Sequence, residues 1–348
     1  MAISINEAMV RANSISLKGL GSTWPNPIVG AVLLSPGGEV LSEGFHQRGA
    51  NGAVGDHAEV VALKLAGERA RGAVLVVTLE PCNHHGKTPP CTDAIIAADV
   101  AKVIYAVADP NPDAQGGHEK LKSAGIDVVV FDDRGEIEAA NRAWLFRMKS
   151  GRPYLSAKIA STADGFIAAS DGTSKWITSP EARADVAVLR NQCDAIVTGT
   201  GTVLADNPQL TVRGLKESEM HHPVRIVVGS REVPKDAAVR DGAVATQFVK
   251  DIAALEAYLR ERRFNRVLVE AGPTLTSSLL KAGLVNELYL YQAPSLLGSG
   301  RSMVEGLGIS TLSNRIDMKL HCSRIIEGES RTLKSHFTFN DELVSEVC

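Results

Sequence analysis

The stretch TLEPCNHHGKTPPCTDA, residues 78–94, joins two segments of different character. Before it, the apolar run AVLVVTL at residues 73–79 is typical of a buried strand, and after it TDAIIAA at residues 92–98 is typical of a helix. A loop from a strand into a helix is the connection from which α/β proteins are built. Two cysteines, Cys82 and Cys91, stand at the mouth of this loop, and their presence there needs a physical explanation.

Strand-like and helix-like segments alternate along the whole chain of 348 residues, which predicts an α/β architecture. A chain of this length favours two domains. The polar, helical connector at residues 132–152 predicts a boundary near residue 150, and we expect domains at residues 1–148 and 149–348. Strands are predicted at residues 28–34, 73–79, 102–108, 126–131, 154–161, 195–198, 225–228, 266–270 and 287–292, and helices at residues 57–66, 92–98, 119–124, 180–190, 251–260 and 274–282.

The composition argues against several classes of protein. Hydrophobic residues make up 44% of the chain and charged residues 22%, as in globular proteins with an ample core. The net charge of −3 and the absence of a long basic block disfavour a nucleic-acid binder. No apolar run approaches a membrane span, and the N-terminal MAISINEAMVRAN lacks the pattern of a secretory signal. We therefore expect a cytoplasmic protein with no nucleic-acid or membrane partner.

The cysteines form an odd, scattered set, which favours free thiols over a disulfide framework. For the pair in the loop, an inert buried role is the commonest alternative. A phosphate loop, which Gly86-Lys-Thr88 suggests, requires a glycine at the position of Pro81 and is therefore disfavoured. A metal site is the third interpretation, and it needs further ligands. The five cysteines are Cys82, Cys91, Cys193, Cys322 and Cys348.

A further ligand is available in His57, which opens a predicted helix with Glu59 two positions later. The order His-x-Glu, then Pro-Cys, then Cys is the signature of zinc-dependent deaminases of nucleobases, although the two cysteines here are more widely spaced. One imidazole and two thiolates leave a fourth tetrahedral position for water, whose pKa falls to about 7 on zinc. Glu59 is then the candidate proton shuttle. A lone histidine is more often a surface residue, but the ordered combination favours a catalytic zinc site.

Longer motifs occur in both halves of the chain. They are PNPIVG at 25–30, HAE at 57–59, TLEPCNHHGKTPPC at 78–91, DPNP at 109–112, KIASTADG at 158–165, KWITS at 175–179, GTVLADNP at 201–208 and VEAGPT at 269–274. Together they resemble one family, the bifunctional deaminase/reductase of riboflavin biosynthesis. The wide cysteine loop HHGKTPPC is a hallmark of that family, which accounts for the unusual spacing. Two departures are visible: Asp56 stands where the family usually has proline, and the turn Gln115-Gly-Gly-His118 differs from the usual pattern.

For the N-terminal half, the resemblance implies a cytidine-deaminase-like three-layer α/β/α fold. This domain would remove the exocyclic 2-amino group of a diaminopyrimidinone ribosylamino 5′-phosphate. One zinc ion per chain would be held by His57, Cys82 and Cys91, with Glu59 as the catalytic residue. Residues implied to line the ring pocket or to contact the phosphate are Asn26, Val29, Gly30, His46, His84 and Lys87.

For the C-terminal half, the resemblance implies a dihydrofolate-reductase-like α/β fold, in which NADPH would deliver hydride to C1′ of the ribosylamino sugar. The role of Lys158 is left open, and Ser230-Arg231 is a hypothetical contact to the adenosine 2′-phosphate. The residues implied to contact NADPH are Ala160, Trp176, Thr202, Asp206, Ser230, Gly272, Pro273, Thr274, Leu275, Thr276, Ser277 and Ser278. Those implied to contact the substrate are Ser174, Arg190, Leu210, Arg213 and Glu270.

The second half supports these assignments in part from its own residues. The turn VTGTGTV at 197–203 follows a strand, and EAGPTL at 270–275 ends a strand and begins a helix whose N-terminus suits an anion. Neither has the spacing GxGxxG, so a Rossmann domain is disfavoured. Arginines such as Arg190 and Arg213 suit a phosphorylated sugar because they offer a bidentate fork, although either can equally be a surface charge.

Two other functions remain to be weighed. The chain could be a nucleoside or nucleic-acid base deaminase with an inactive second domain, which the near-neutral charge disfavours for nucleic acid. It could also be a structural zinc module, but such modules close all four positions with protein ligands and would leave Glu59 without a task. We expect a small phosphorylated pyrimidine as the substrate, and a homo-oligomer, a dimer or larger.

Overall fold

The computed structural model describes residues 1–47, 55–84, 89–328 and 330–339 of the chain. Its internal contacts divide the chain into two compact units, Met1–Lys149 and Ser150–Cys348. Within the described residues, none of the helices combines the length and the apolarity that crossing a membrane requires. Lys87 and Cys348, which the sequence analysis names, lie outside the described residues.

The first unit contains one mixed five-stranded sheet with helices on both of its faces. The sheet order is β2-β1-β3-β4-β5, in which β1 is antiparallel to β2 and β3, while β3, β4 and β5 run parallel. The strands are β1 Gly30–Leu34, β2 Val40–Phe45, β3 Val74–Leu79, β4 Lys102–Val107 and β5 Asp127–Val130. The helices are α1 Ile5–Ser16, α2 Ala58–Ala66, α3 Cys91–Ala97, α4 Gly117–Ser123, α5 Gly135–Ala140 and α6 Arg142–Ser150.

Two glycines let helices approach the sheet from opposite sides. A β-carbon on Gly30 would lie 1.9 Å from the carbonyl oxygen of Ala12 in α1, and one on Gly44 would lie 2.2 Å from that of Ala58 in α2. Gly44 pairs with Ala31, the neighbour of Gly30 along β1, so the two glycines point to opposite faces of the pleated sheet. Helices α1 and α2 therefore cover different faces, which gives the three layers expected of a cytidine-deaminase-like fold.

The second unit is built on an eight-stranded sheet. Its order is β10-β9-β8-β11-β6-β12-β15-β14. The strands from β10 to β12 in this order are mutually parallel, whereas β15 is antiparallel to both of its neighbours, β12 and β14. Strands β13 and β7 form a separate antiparallel ribbon. The strands are β6 Tyr154–Thr162, β7 Phe166–Ala168, β8 Ala195–Gly199, β9 Val224–Val228, β10 Thr246–Val249, β11 Arg266–Val269, β12 Val285–Ala293, β13 Arg301–Ser302, β14 Lys319–Ile326 and β15 Thr332–Thr338. The helices are α7 Pro180–Asn191, α8 Thr200–Asp206, α9 Ile252–Arg262 and α10 Pro273–Lys281.

A buried ionic network joins four neighbouring strands of this sheet. The carboxylate of Glu287 on β12 is fully buried and accepts hydrogen bonds from Ser156 Oγ at 2.5 Å and from Arg266 Nη2 at 3.2 Å. His336 Nε2 on β15 lies 2.8 Å from the second carboxylate oxygen. A buried charge is tolerated only when it is paired and hydrogen-bonded, so these contacts fix the order and register of β11, β6, β12 and β15.

The structure differs from the sequence-based expectations in several segments. The turn predicted around Gly199 and Gly201 is instead the end of β8 and the first turn of α8, and Cys91 is the first residue of α3 rather than the residue before it. Cys82, Cys91 and Cys193 are free thiols, but Cys322 is disulfide-bonded, so the expectation of free thiols is wrong at that residue. The elements that the sequence analysis does not predict are α1, α8, β2, β7, β10, β13, β14 and β15.

The side chain of Asn141 fixes the segment that enters β1. Its amide donates to the carbonyl oxygen of Ile28 at 2.9 Å and accepts from the N–H of Ile28 at 3.1 Å, with Asn141 only 4% exposed.

We expect Asn141→Ala to lower the free energy of unfolding of the first unit by about 3 kcal/mol, because two buried backbone groups lose their partner. Urea unfolding followed by tryptophan fluorescence measures this. Gln115→Ala, which removes an exposed amide of the same unit, is the control, and equal effects of the two substitutions would contradict the prediction.

Candidate active sites

The first candidate site is a cluster of one histidine and two cysteines. His57 Nδ1, Cys82 Sγ and Cys91 Sγ all lie within 4.8 Å of one another, with the imidazole nitrogen 3.2 Å from the sulfur of Cys91 and 3.5 Å from that of Cys82. The three residues come from distant parts of the chain, and the fold brings them together as the sequence analysis predicts. Bond lengths of about 2.0 Å to nitrogen and 2.3 Å to sulfur place tetrahedral zinc ligands about 3.5 Å apart. The donor set and its spacing therefore fit one zinc ion with a fourth position left for water.

Two helix N-termini aim at this cluster. His57 is the N-cap residue of α2, and Cys91 is the first residue of α3. The backbone N–H of Cys91 also donates to the sulfur of Cys82 at 3.4 Å. The hydrogen bond from the Cys91 thiol is the main factor that lowers the pKa of Cys82 well below the usual thiol value, and the charge on His57 acts in the same direction. The site thus favours the thiolate form of Cys82, whereas the hydrogen bond to Cys82 and burial raise the pKa of Cys91.

Glu59 lies in the first turn of α2 and is 3% exposed. The groups that act on the pKa of its carboxyl include His57, Cys82 and Cys91, so Glu59 lies beside the cluster. Burial raises the pKa of this carboxyl to about 7. The convergence of His57 and Glu59, two residues apart in sequence, is possible because the helix begins at the site and points its N-terminal turn towards it.

Two of the residues implied for the ring pocket, Asn26 and His46, lie beside the cluster. The ring of His46 is buried and packs edge-on against that of His57, with centroids 5.0 Å apart, and Asn26 Nδ2 lies 3.3 Å from His46 Nε2. His84 Nδ1 is a buried polar atom with no hydrogen-bond partner within the described part of the chain. Asp56, which directly precedes the N-cap residue of α2, forms a 2.6 Å ion pair with Lys64 in the last turn of that helix.

Sequence reasoning missed the residues that support the first cysteine. Glu80 accepts hydrogen bonds from the backbone N–H groups of His118, at 3.0 Å, and Asp109, at 3.3 Å. A β-carbon on Gly117 would lie 1.9 Å from the carbonyl oxygen of Pro81, directly before Cys82. The unusual turn Gln115-Gly-Gly-His118 therefore packs against the metal loop, and its pair of glycines was the signal available in the sequence.

The second candidate site is a cavity of about 1800 Å³ in the second unit. It lies where β6, β8, β9 and β11 reach their carboxyl ends, because parallel strands end at a common edge of the sheet. Among the residues implied for NADPH and substrate, Pro273, Thr276, Ser277 and Arg213 do not line this cavity. Those that do are Ala160, Ser174, Trp176, Arg190, Thr202, Asp206, Leu210, Ser230, Glu270, Gly272, Thr274, Leu275 and Ser278, and Lys158 and Arg231 join them.

A buried carboxylate with two cations lies in this cavity. Glu270 accepts two hydrogen bonds from Arg190, from Nε at 2.5 Å and from Nη2 at 2.9 Å, and Lys158 Nζ lies 3.5 Å from the same carboxylate. Arg190 is thus a bidentate partner in the site rather than a surface charge, and Lys158 belongs to the same cluster. Burial alone would raise the pKa of Glu270, but the charges of Arg190 and Lys158 outweigh it and hold the pKa at about 2.

The rim of the cavity carries aromatic and cationic groups suited to a nucleotide. Trp176 is 72% exposed, has a φ of 70°, and stacks under the guanidinium of Arg183 at 4.1 Å. A β-carbon on Gly201 would lie 2.4 Å from Nη2 of Arg231, so this guanidinium lies directly over the backbone of α8. The glycine leaves room for this guanidinium, which places a cationic group at the cavity wall beside the first turn of α8.

Each half of the chain matches a known protein family. Residues 4–107 match the model of the cytidine and deoxycytidylate deaminase zinc-binding region, and residues 153–333 match the RibD C-terminal domain. The riboflavin biosynthesis protein RibD of Mycobacterium tuberculosis is 43% identical over 316 residues, which cover 90% of this chain and 92% of that protein. The chain belongs to the RibD family.

Further RibD proteins support this assignment. RibD of Escherichia coli is 42% identical over 327 residues, which cover 84% of this chain and 88% of that protein. The structure of Acinetobacter baumannii RibD superposes with a TM-score of 0.86 at 34% identity, covering 96% of this chain and 98% of the other. A Thermotoga maritima diaminohydroxyphosphoribosylaminopyrimidine deaminase/5-amino-6-(5-phosphoribosylamino)uracil reductase superposes with a TM-score of 0.84 at 34% identity and the same coverage. The two-domain α/β fold predicted from the sequence is therefore confirmed.

The lowered pKa of Glu270 has a consequence for acid stability. Because the folded-state pKa of about 2 lies below the ordinary value of 4.5, the ionised carboxylate stabilises the second unit above pH 4.5, and this contribution is lost as the pH falls towards 2. We expect the free energy of unfolding to fall more steeply in that range for the wild type than for Glu270→Gln. Urea unfolding at a series of pH values measures the slopes, with Glu261→Gln, an exposed glutamate of α9, as the control. Parallel slopes for the wild type and Glu270→Gln would refute the assignment.

Proposed function

We propose that this chain carries out two successive reactions of riboflavin synthesis. Residues 1–148 would hydrolyse the 2-amino group of a diaminopyrimidinone ribosylamino 5′-phosphate, and residues 149–348 would reduce the ribosyl side chain of the product to a ribityl chain. The proposal rests on the presence of two sites in one chain. The first unit holds the cluster of His57, Cys82 and Cys91 beside the buried Glu59. The second unit holds a cavity of about 1800 Å³ with the ion-paired Glu270 at its wall. Membership of the RibD family supports the same pair of activities.

In the deaminase domain, His57, Cys82 and Cys91 would hold the zinc ion, which supplies a water with a pKa of about 7 as nucleophile. Glu59 would take one proton from the attacking water and deliver it to the ring nitrogen, and would then carry a second proton, from the hydroxyl group added to the ring, to the departing amine. Its burial beside Cys91 keeps the carboxyl within reach of the reacting atoms and away from bulk water. Asn26 and His46, which contact each other beside the cluster, orient the pyrimidine ring.

In the reductase domain, NADPH would supply the hydride, and the protein supplies binding and orientation. Thr202, Asp206, Trp176 and the start of α10 would hold the dinucleotide along the cavity. Arg190 fixes the carboxylate of Glu270 through two parallel hydrogen bonds, which leaves Glu270 and Lys158 in defined positions for the hydroxyl groups of the substrate. The ligands would thus be placed by side chains whose own positions are fixed by ion pairs.

A deaminase with an inactive second domain is the less favoured alternative. The second unit retains a continuous cavity with thirteen of the seventeen residues implied for cofactor and substrate at its wall, which an inactive domain would have no reason to keep.

We further propose that the enzyme acts in the cytoplasm as a homo-oligomer, a dimer or larger. Its partners would be small molecules, and the net charge of −3 supports the exclusion of nucleic acid.

The two activities can be separated by substitutions in the metal site. We expect Glu59→Gln to keep its zinc but to release ammonia about a thousandfold more slowly, because the proton shuttle is lost. Cys82→Ser should lose both zinc and deamination. Both variants should still oxidise NADPH when the deaminated pyrimidine is supplied. Metal analysis, ammonia release and NADPH absorbance on the same samples measure these effects. Wild-type deamination by Glu59→Gln, or by fully metal-stripped enzyme, would overturn the mechanism.

Arg231 provides a test of cofactor selection. Its guanidinium lies over Gly201 at the cavity wall, and a 2′-phosphate there would form a charge-assisted contact. We expect Arg231→Ala to bind NADPH about tenfold more weakly while its affinity for NADH stays unchanged. Titration of both nucleotides measures the preference. A variant that kept the wild-type preference for NADPH would show that the 2′-phosphate is recognised elsewhere.

A further inference from the structure

The segment that follows α8, residues 207–213, carries two of the residues implied for the substrate, Leu210 and Arg213. Leu210 lines the cavity and is only 5% exposed. Its backbone has a φ of 53°, in the left-handed region that a leucine rarely adopts. Such a conformation persists only where the surrounding structure imposes it. The groups that impose it on Leu210 are therefore part of the construction of the site.

A fully buried arginine holds the backbone directly before Leu210. Arg225 lies on β9, and its Nη1 donates to the carbonyl oxygen of Gln209 at 3.0 Å. Its other nitrogens are also engaged: Nε donates to Thr246 Oγ1 at 2.9 Å, and Nη2 donates to Asp241 Oδ1 at 2.7 Å. The guanidinium therefore ties the segment after α8 to the loop that leads into β10.

A second arginine holds the backbone directly after Leu210. Arg190, whose Nε and Nη2 bind Glu270, donates from Nη1 to the carbonyl oxygen of Thr211 at 3.1 Å. The carbonyl groups on both sides of Leu210 are thus fixed by guanidinium groups. Arg190 lines the cavity, whereas Arg225 is buried within the fold.

The same segment orients Arg213, the second residue implied for the substrate. Arg213 Nε donates to Thr211 Oγ1 at 3.2 Å, and its Nη2 donates to Gln209 Oε1. Both acceptors belong to residues whose carbonyl groups are held by a buried or partly buried arginine. The direction of the exposed Arg213 guanidinium thus depends on the shape of the segment.

Stability alone does not account for a fully buried arginine at position 225. Removing a guanidinium from water is costly, and a buried ion pair often adds no more to stability than apolar side chains of similar size. The pairing with Asp241 balances the charge, yet an apolar residue on β9 would need no such partner. A planar group with several fixed donors can, however, set the positions of backbone groups in two loops at once.

We propose that Arg225 is a positioning residue of the reductase site, an inference that rests on the proposed reductase function. Through the carbonyl group of Gln209 it holds Leu210 and Arg213 in the geometry that binds the phosphorylated ribosylamino pyrimidine. Arg225 itself does not touch the ligand. Its loss weakens binding of the pyrimidine and leaves binding of the nucleotide, which uses other parts of the cavity wall, unchanged.

The test is steady-state kinetics of the full-length protein with NADPH and the deaminated pyrimidine. We expect Arg225→Lys to raise the KM for the pyrimidine about tenfold, while kcat and the KM for NADPH stay within about twofold. The reason is that one ammonium group cannot reach Gln209 and Asp241 at once. Arg225→Met should show the same split. Because KM does not depend on the fraction of folded molecules, partial unfolding cannot imitate this pattern.

Two control substitutions act on other contacts of the same guanidinium. Asp241→Asn weakens the ion pair, and Thr246→Val removes the acceptor of Nε. Both should lower the free energy of unfolding in urea, because a buried charge loses part of its pairing. Both should leave the KM for the pyrimidine unchanged, because the contact to Gln209 remains.

Three outcomes would overturn the inference. An unchanged KM for the pyrimidine in the Arg225 variants would exclude the positioning role. An equal rise in the two controls would show that the network only stabilises the fold. A parallel rise in the KM for NADPH would place the effect outside the segment after α8. In each of these cases the wild type still reduces the pyrimidine, whereas a wild type without this activity would overturn the proposed reductase function itself.

Discussion

In both units, the chain leaves a buried strand of a parallel array and begins a helix at the same edge of the sheet. Since parallel strands end side by side, this constraint gathers the loops and helix N-termini that follow them into one place. In the first unit it places Cys82 after β3 and Cys91 at the start of α3 next to His57. In the second unit it places the starts of α8 and α10 around one cavity. The chemistry of each half depends on this geometry more than on any single contact.

The buried centres of both sheets were predictable from the sequence, because strands covered on both faces are continuous apolar runs. The cluster of His57, Cys82 and Cys91 was predictable for a different reason: its residues follow the order His-x-Glu, Pro-Cys and Cys of a known signature. The N-terminal helix α1 was missed although Ser4 and Glu7 form a capping box, a signal that the sequence does contain. Strands β14 and β15 were missed because neither is a continuous apolar run and neither keeps a strict alternation of apolar and polar residues; β15 is mostly polar, although only one of its residues is exposed.

Other features of the sites could not be predicted because they exist only in three dimensions. Lys158 belongs with Glu270 only because β6 and β11 are neighbours in the sheet. Likewise, the guanidinium of Arg225 reaches Gln209 only because β9 lies beside β8, the strand that leads into α8. Four residues implied by family resemblance, Arg213 among them, do not line the cavity wall, and their roles stay predictions.

The two buried glutamates of the second unit show how the same charge serves two purposes. Glu287 is enclosed by Ser156, Arg266 and His336, all within the sheet, and its contacts hold strands together. Glu270 is also paired with cations, but its partners Arg190 and Lys158 lie at the wall of the cavity. The carboxylate of Glu287 is therefore inaccessible to a ligand, whereas that of Glu270 can exchange its contacts with those of a ligand.

The glycine at position 117 imposes a limit on how this enzyme can vary. The carbonyl group of Pro81, directly before Cys82, occupies the space that any side chain at position 117 would need. The acceptable shapes of two loops more than thirty residues apart are therefore tied together, and neither can be remodelled alone. For anyone redesigning the substrate range of the deaminase, the two loops form a single engineering unit.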